Sequence, residues 1–403
     1  MSFDARLAYE HTKNLSFPRA TGSQGEKRAV EYISSYFKKL GLDIEIQSFA
    51  FSYLPSKLFL RLGLLLQSGI LLAASYLFDK TPIVPVFLVL LLGVLLTKAS
   101  GWGRFHERLY DIRKTAHSQN IIAKTGDEDS DIHLIFLAHY DTKSQTMPVF
   151  LRFSLYFIGF FGSLLIGLAI IILAFFELNV VIASGWLLVM RNMLLPFSIA
   201  IAIIMLSLQF NFSGNKSPGA ADNASGVGVL LELARSLSAN PPEKVSLAFV
   251  ATGAEEDGLV GAMRYIQKYS QDFEPKRSFF INYDGVGDGS KLTITAKYGV
   301  PPIIASRKLS ELALNIASQK WIKASKGYVP VGAGFDQFPI AARGFETITI
   351  SSGKLSSTIF NIHSQHDRFE NVSMKALQNA GSIGFEIAKQ IRSEFSWKES
   401  VEM

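Results

Sequence analysis

Apolar and polar positions interleave with two periods over the first fifty residues. In GEKRAVEYISSYFKKLGL, Ala29, Val30, Ile33, Tyr36, Phe37 and Leu40 recur on one helix face, and Gly41 supplies the stop. DIEIQSFAF, residues 43–51, then alternates as a half-buried strand does. Four uncharged apolar runs follow, in two groups. Residues 62–78 (LGLLLQSGILLAASYLF) and 81–97 (TPIVPVFLVLLLGVLLT) are separated only by Asp79 and Lys80. Residues 153–176 and 192–215 are separated by Glu177, the apolar piece LNVVIASGWLLVM and Arg191. A helix crosses a bilayer with about 20 apolar residues and a floor of about 17. The second pair clears that length. The first pair stands at the floor and relies on Lys57, Arg61 and Lys98 reaching their charged ends to the headgroups. Buried core helices are the alternative, but a water-soluble domain seldom needs four such runs. The pattern predicts four membrane spans, arranged as two hairpins.

The intervening stretch SQNIIAKTGDEDSDIHLIFLAHYDTKSQ reads as a strand, an acidic turn and a buried strand. Beyond residue 215 the pattern predicts helix 225–238, strand KVSLAFVATG, helix 258–270, strands SFFINYDGVG and KLTITAK, helix 305–319, strand ETITISS and helix 373–393. Strands alternating with helices argue for an α/β domain with a mixed, largely parallel central sheet covered by helices on both faces. The expected organisation is one such domain in three pieces, residues 1–56, 99–148 and 213–403, interrupted by hairpins at 57–98 and 149–212.

Composition narrows the classes. Hydrophobic residues make up 48% of the 403 and charged residues 18%, so part of the chain is expected to face something other than water. The absence of cysteine excludes disulfides and thiolate metal sites. The net charge of +6 comes without a Lys/Arg block interleaved with aromatics, so no nucleic-acid partner is expected; a lipid bilayer suits the basic excess better. The N-terminal MSFDARLAYEHTKNL lacks the apolar core of a signal peptide. The three soluble pieces supply one sheet and must share one side of the membrane. Basic residues cluster on that side, among them Lys57, Arg61, Lys98, Arg108, Arg113, Lys114, Arg152 and Lys216, against Lys80 and Arg191 on the other. The positive-inside rule then predicts an integral membrane protein with its catalytic domain in the cytoplasm.

Candidate chemistry gathers where apolar strands end. LIFLAHYDT ends in His139 and Asp141; the loop GAADNASG carries Asp222; SLAFVATGAEEDG ends in Glu255 and Glu256; FFINYDGVG holds Asp284; and NIHSQHDRFEN offers His363, His366 and Asp367. Singly, each has a plain structural reading. Asp222 suits a helix N-cap, Glu255 and Glu256 a solvated turn, and Asp284 a glycine turn. Together, carboxylate and imidazole donors without sulfur suit a pair of divalent ions of the zinc type. A carboxylate shared by two ions needs a backbone-permissive loop, which Ala220, Ala221 and Gly226 provide. An adjacent acid pair can send one carboxylate to metal and the other to water. Asp141, two residues after His139, is placed to orient an imidazole.

The ordered set H-x-D, G-A-x-D-N-x-S-G-V, E-E-x-G-L-x-G, N-x-D-x-x-G and H-x-x-x-D-x-x-E-N resembles the dinuclear zinc aminopeptidases of family M28, over residues 13–50, 117–145 and 213–395. The resemblance implies two zinc ions per chain. His139 and Asp284 would hold one, Glu256 and His363 the other, and Asp222 would bridge both. Glu255 would be the general base and Asp141 an orienting residue; His366 falls out of register and reads as a loop residue. Two departures stand out. The family joins the H-x-D strand to the bridging Asp by a short loop, whereas here 83 positions separate His139 from Asp222 and the second apolar pair fills the gap. Many relatives carry a late Asp-His pair, and here Asp336 is followed by Gln337. The implied activity is membrane-anchored removal of N-terminal residues from peptide substrates. The alternatives are a glutaminyl-cyclase-like enzyme with one zinc and a non-catalytic scaffold of the same fold. Side-chain preference and oligomeric state are not legible in the sequence.

Overall fold

The chain was described from a computed structural model covering residues 2–100, 104–126, 130–179, 185–288, 291–353 and 358–396. Helices α1 (Ala5–Leu15) and α2 (Gln24–Lys39) precede strand β1 (Asp43–Phe51). The first apolar pair forms α3 (Leu60–Leu77) and α4 (Ile83–Ser100). Then come α5 (Arg104–Leu109), β2 (Ala116–Thr125), β3 (Ile132–His139) and the short β4 (Ser144–Gln145). The second apolar pair forms α6 (Val149–Leu178) and α7 (Gly185–Ser207), and β5 (Ser213–Gly214) follows. The rest alternates: α8 (Ser225–Ser238), β6 (Val245–Thr252), α9 (Val260–Tyr269), β7 (Ser278–Val286), β8 (Leu292–Tyr298), β9 (Ile303–Ile304), α10 (Arg307–Gln319), β10 (Ala324–Val329), α11 (Gln337–Ala341), β11 (Glu346–Ser352) and α12 (Met374–Ser396).

Among the described residues, nine strands join in the order β1-β2-β6-β3-β7-β11-β8-β10, with β9 on β8. The centre, β6-β3-β7-β11, is parallel, while β1, β2 and β8 attach antiparallel towards the edges. Residue type follows this arrangement. β3 and β6 are buried almost throughout, as a strand covered on both faces must be, whereas β1 at the edge stays half exposed. The expected mixed α/β sheet is therefore present, parallel through its middle and again at the edge, where β10 runs parallel to β8.

Among the described residues, four helices are long and apolar enough to cross a membrane: residues 55–77, where a π turn (Pro55–Phe59) lengthens α3; 83–100; 149–178; and 185–210. They pack on one another. Gln67 Nε2 donates to Ser163 Oγ at 3.0 Å, Ser75 and Ser198 hydroxyls lie 2.6 Å apart, and Gly159 makes room for the Met205 side chain. Their outer faces leave Phe87 and Leu165 about two-thirds exposed, at 68% and 67%, the arrangement expected where lipid is the solvent.

One boundary differs from expectation. The sequence pattern makes the apolar piece before Arg191 a separator. Instead GWLLVM opens α7, so Arg191 lies within the helix rather than in the turn, while residues 180–184 lie outside the described set. An apolar stretch continues a helix when its one charge is compensated. Arg191 donates to Asp79 Oδ1 at 2.8 Å and to Glu177 Oε1 at 3.0 Å, which also ties the two hairpins together at their distal ends. At its other end α7 stops at Ser207 rather than 215, and β5 pairs antiparallel with β4, bracing the base of the second hairpin.

Candidate metal centre

The carboxyl ends of the parallel strands converge on one point, as α/β sheets require of their ligand sites. β3 ends at His139; the turn after β6 carries Glu255 and Glu256; Asp284 lies near the end of β7; and the segment after β11 carries His363. Asp222 arrives from the turn before α8. Its φ and ψ are −121° and 89°, outside the helix, and it is not the cap of α8; Ala224 holds that position. Gly226 lets the turn close, since a β-carbon there would collide with Asn223 Oδ1 and with the Tyr283 carbonyl.

Two groups of donors result: His139, Asp222 and Asp284, and Asp222, Glu256 and His363, each with ligand atoms within 4.8 Å of one another. Asp222 divides its carboxylate between them. Its Oδ1 is 3.1 Å from His139 Nε2, and its Oδ2 is 2.9 Å from His363 Nε2. Asp284 Oδ1 stands 3.7 Å from His139 Nε2, and Glu256 Oε1 stands 2.9 Å from His363 Nε2. Donors at ~2.05 Å around a tetrahedral zinc lie about 3.3 Å apart, and these separations bracket that value. Glu256 Oε1 is buried without a hydrogen bond. The charge balance points the same way. Asp141, Asp222, Glu255, Glu256, Asp284, Asp336 and Asp367 are all buried here, and facing them are the cations Arg19, Lys143 and Arg152. The residues present fit two divalent ions.

The two adjacent glutamates differ in environment. Burial, with the negative fields of Glu256, Asp284 and Asp336, pushes Glu255 well above the usual carboxylate range, only partly offset by His139. Burial also works against Glu256, yet His363 and Lys143 hold it at about 2. Lys143 Nζ sits 2.9 Å from Glu256 Oε2 and donates to its carbonyl at 2.8 Å. Adjacent carboxyls with opposite shifts mark a proton-transfer group beside a fixed anion. Asp222 resembles Glu256: burial opposes its charge, but His139 and His363 hold it well below the usual range. For His139, burial is outweighed by Glu255, Asp141, Asp222 and Asp284, which raise it well above its ordinary value.

Asp141 does more than stand beside an imidazole. Its carboxylate lies 3.6 Å from His139 Nδ1, and it is the Asp141 carbonyl, at 3.2 Å, that meets that nitrogen. The carboxylate also accepts the backbone N–H groups of Glu255 and Glu256, both at 3.1 Å, and so sets the turn that aims the acid pair. Of the two late histidines, His363 is the one that stands with Asp222 and Glu256, and His366 is exposed. Gln337 is fully buried with neither amide atom hydrogen-bonded.

Arg19 and Gln145 carry no sequence signal of their own at this centre, and the motif residue Asp367 carries none for the contact it makes. Arg19 is completely buried and donates to the carbonyls of Tyr140, Leu15, Pro218 and Gly219, tying the N-terminal piece to the strand of His139 and the loop of Asp222. Asp367 accepts the N–H groups of Ala221 at 2.8 Å and Asp222 at 3.1 Å, which fixes the shared carboxylate from behind. Gln145, in β4, puts Oε1 2.8 Å from His363 Nδ1 and donates its N–H to the His363 carbonyl at 2.8 Å.

Comparison with known proteins agrees with this geometry. The family model described as peptidase family M28 matches residues 207–388. The alkaline phosphatase isozyme conversion protein of Escherichia coli is 35% identical over 157 residues, 36% of this chain and 44% of that protein. Aminopeptidase YwaD of Bacillus subtilis is 28% identical over 179 residues, 41% of this chain and 36% of that protein. The chain thus spans less than half the length of either relative. Among solved structures, an aminopeptidase from Aneurinibacillus sp. strain AM-1 superposes with a TM-score of 0.56 at 17% identity, covering 96% of this chain and 94% of that one. A glutaminyl cyclase from an Acidobacteriales bacterium gives a TM-score of 0.55 at 17% identity, covering 98% and 96%. These likenesses establish the zinc-exopeptidase type of fold, which both activities share.

Proposed function

We propose, from the match of residues 207–388 to peptidase family M28, that this chain is a membrane-anchored, two-zinc exopeptidase that removes N-terminal residues from peptides. The observation that carries the reading is the divided carboxylate of Asp222, with one oxygen in each donor group. Zinc, when bound, supplies Lewis acidity that lowers the pKa of water and polarises a carbonyl. Every other part of the work falls to side chains. Glu255 belongs to neither donor group, is 8% exposed, and stands 3.9 Å from His139 Nε2 at the edge of the pair. It takes the proton from the attacking water and returns it to the leaving amine. Asp141 holds Glu255 in that position through its backbone N–H, and Lys143 keeps Glu256 ionised as a ligand.

The glutaminyl-cyclase-like alternative works with a single zinc. The presence of both donor groups, which brings His139 and Asp284 together with Glu256 and His363 around Asp222, favours the peptidase. The four apolar helices support a membrane anchor, and the basic residues around their domain-side ends support a catalytic domain in the cytoplasm. The test is metal analysis of the purified full-length chain, joined to an assay of amino-acid release from unblocked and N-acetylated peptides with and without chelator. Two zinc ions and chelator-sensitive release from unblocked peptides only are expected. One zinc with cyclisation of N-terminal glutamine, or no turnover of a two-zinc protein, would overturn the reading.

A further inference from the structure

Arg152 stands in the first turn of α6, the helix that leads away from the domain, yet its guanidinium lies at the metal centre. The residue is 8% exposed, its Nη2 is 3.0 Å from His363 Nδ1, and its Nη1 is buried without a hydrogen-bond partner. A buried guanidinium with an unused N–H is costly unless some other group completes it. Nor does the His363 contact outlast metal loading. Once Nε2 gives its lone pair to a cation, the neutral ring carries its proton on Nδ1, which then donates and cannot accept. Gln145 Oε1, 2.8 Å away, is the acceptor for that proton. The nearest acids are already engaged: Glu256 Oε2 by Lys143 at 2.9 Å, and Asp222 between the two histidines. In the loaded site both terminal nitrogens of Arg152 therefore lack a protein acceptor. A planar fork of donors in that state matches a carboxylate.

We propose that Arg152 is a specificity-determining residue that binds a substrate carboxylate, so that the site selects peptides carrying one beside the cleaved bond. The inference rests on the peptidase reading. The carboxylate has two sources, the free C-terminus of a dipeptide or an acidic side chain flanking the bond, and the chemistry recognised is the same.

The test uses the full-length, zinc-loaded protein with Glu255→Gln, so that binding is read by calorimetry without turnover. Four probes are compared: Leu-Gly, its amide Leu-Gly-NH2, Leu-Asp-NH2 and Asp-Leu-NH2. At least one carboxylate probe should bind tenfold or more tighter than Leu-Gly-NH2, and the probe that does so identifies the source. Arg152→Met should remove roughly ten- to a hundredfold of that preference, the loss expected when a charge-assisted pair is deleted. Arg152→Lys should keep only part of it. Equal binding of all four probes, or a preference that survives Arg152→Met, would overturn the proposal. Zinc content is measured on each variant; if Arg152→Met loses metal, the carboxylate-to-amide ratios of the parent and of Arg152→Lys decide. Failure of the peptidase reading looks different: the two-zinc protein with Glu255 intact cleaves none of the four.

Discussion

Substituting Glu255 by Gln removes a proton acceptor while changing almost nothing else. The backbone N–H of Glu255 remains on Asp141, and the side chain belongs to neither donor group, so both zinc ions should stay. Loss of a general base typically slows a reaction by about 10²–10⁴, which at ~1.36 kcal/mol per decade raises the barrier by about 3–5 kcal/mol. The upper part of that range is expected here, because the carboxylate is 8% exposed and bulk water has little room to take its place. The effect should fall on kcat more than on KM, since the group acts on the proton rather than on the bound peptide. A pH profile adds a second readout. Glu255 works only when ionised, and burial beside Glu256 and Asp284 raises its pKa. Turnover should therefore be present above that pKa and be lost as pH falls through it; the residual activity of the Gln variant should lack this acid limb. Metal analysis and peptide-release kinetics on the same preparation decide the matter. A variant that holds two zinc ions and turns over within a few-fold of the parent would refute the assignment, and so would one that loses a zinc ion.

Asp222→Asn should weaken both metals together, because one carboxylate serves two cations, whereas Asp284→Asn should weaken mainly the ion on the His139 side; metal content against rising chelator separates the two. Gln145→Ala should lower affinity for the ion on the His363 side by roughly 10–100-fold, the usual cost of losing a residue that orients a ligand imidazole, and chelator competition with one-ion resolution reads it. A cysteine at Lys80, in the turn between α3 and α4, should react with an impermeant thiol reagent in intact cells, and one at Lys39, exposed at the end of α2, should not. The reverse labelling would place the domain on the other side of the membrane.

The candidate donors His139, Glu256 and Asp284 are legible in the sequence because each sits at or just beyond the place where an apolar strand runs out, while Asp222 and His363 stand out only as part of the ordered set. A buried parallel strand is an unbroken apolar run, its carboxyl end is where ligands gather, and an acid or histidine at that point stands out against its neighbours. The membrane helices were legible because hydrocarbon demands length and apolarity from every residue that crosses it. What completes the centre was not legible. Asp367 reaches Asp222 across 145 positions, Gln145 reaches His363 across 218, and Arg19 reaches Gly219 across 200. Arg152 reads in the sequence only as one of the basic residues on the domain side of the spans, and only folding carries it to His363. Asp141 reads as a partner of the histidine two residues away, and only because β6 lies beside β3 does the turn after β6 bring the N–H groups of Glu255 and Glu256 that its carboxylate also accepts. Arg191 read as a break until Asp79 and Glu177 closed around it. Periodicity records which residues leave water, because that is a property of each side chain and its near neighbours. Which partner compensates a buried charge is set by strand order and helix packing, and those exist only once distant segments have met.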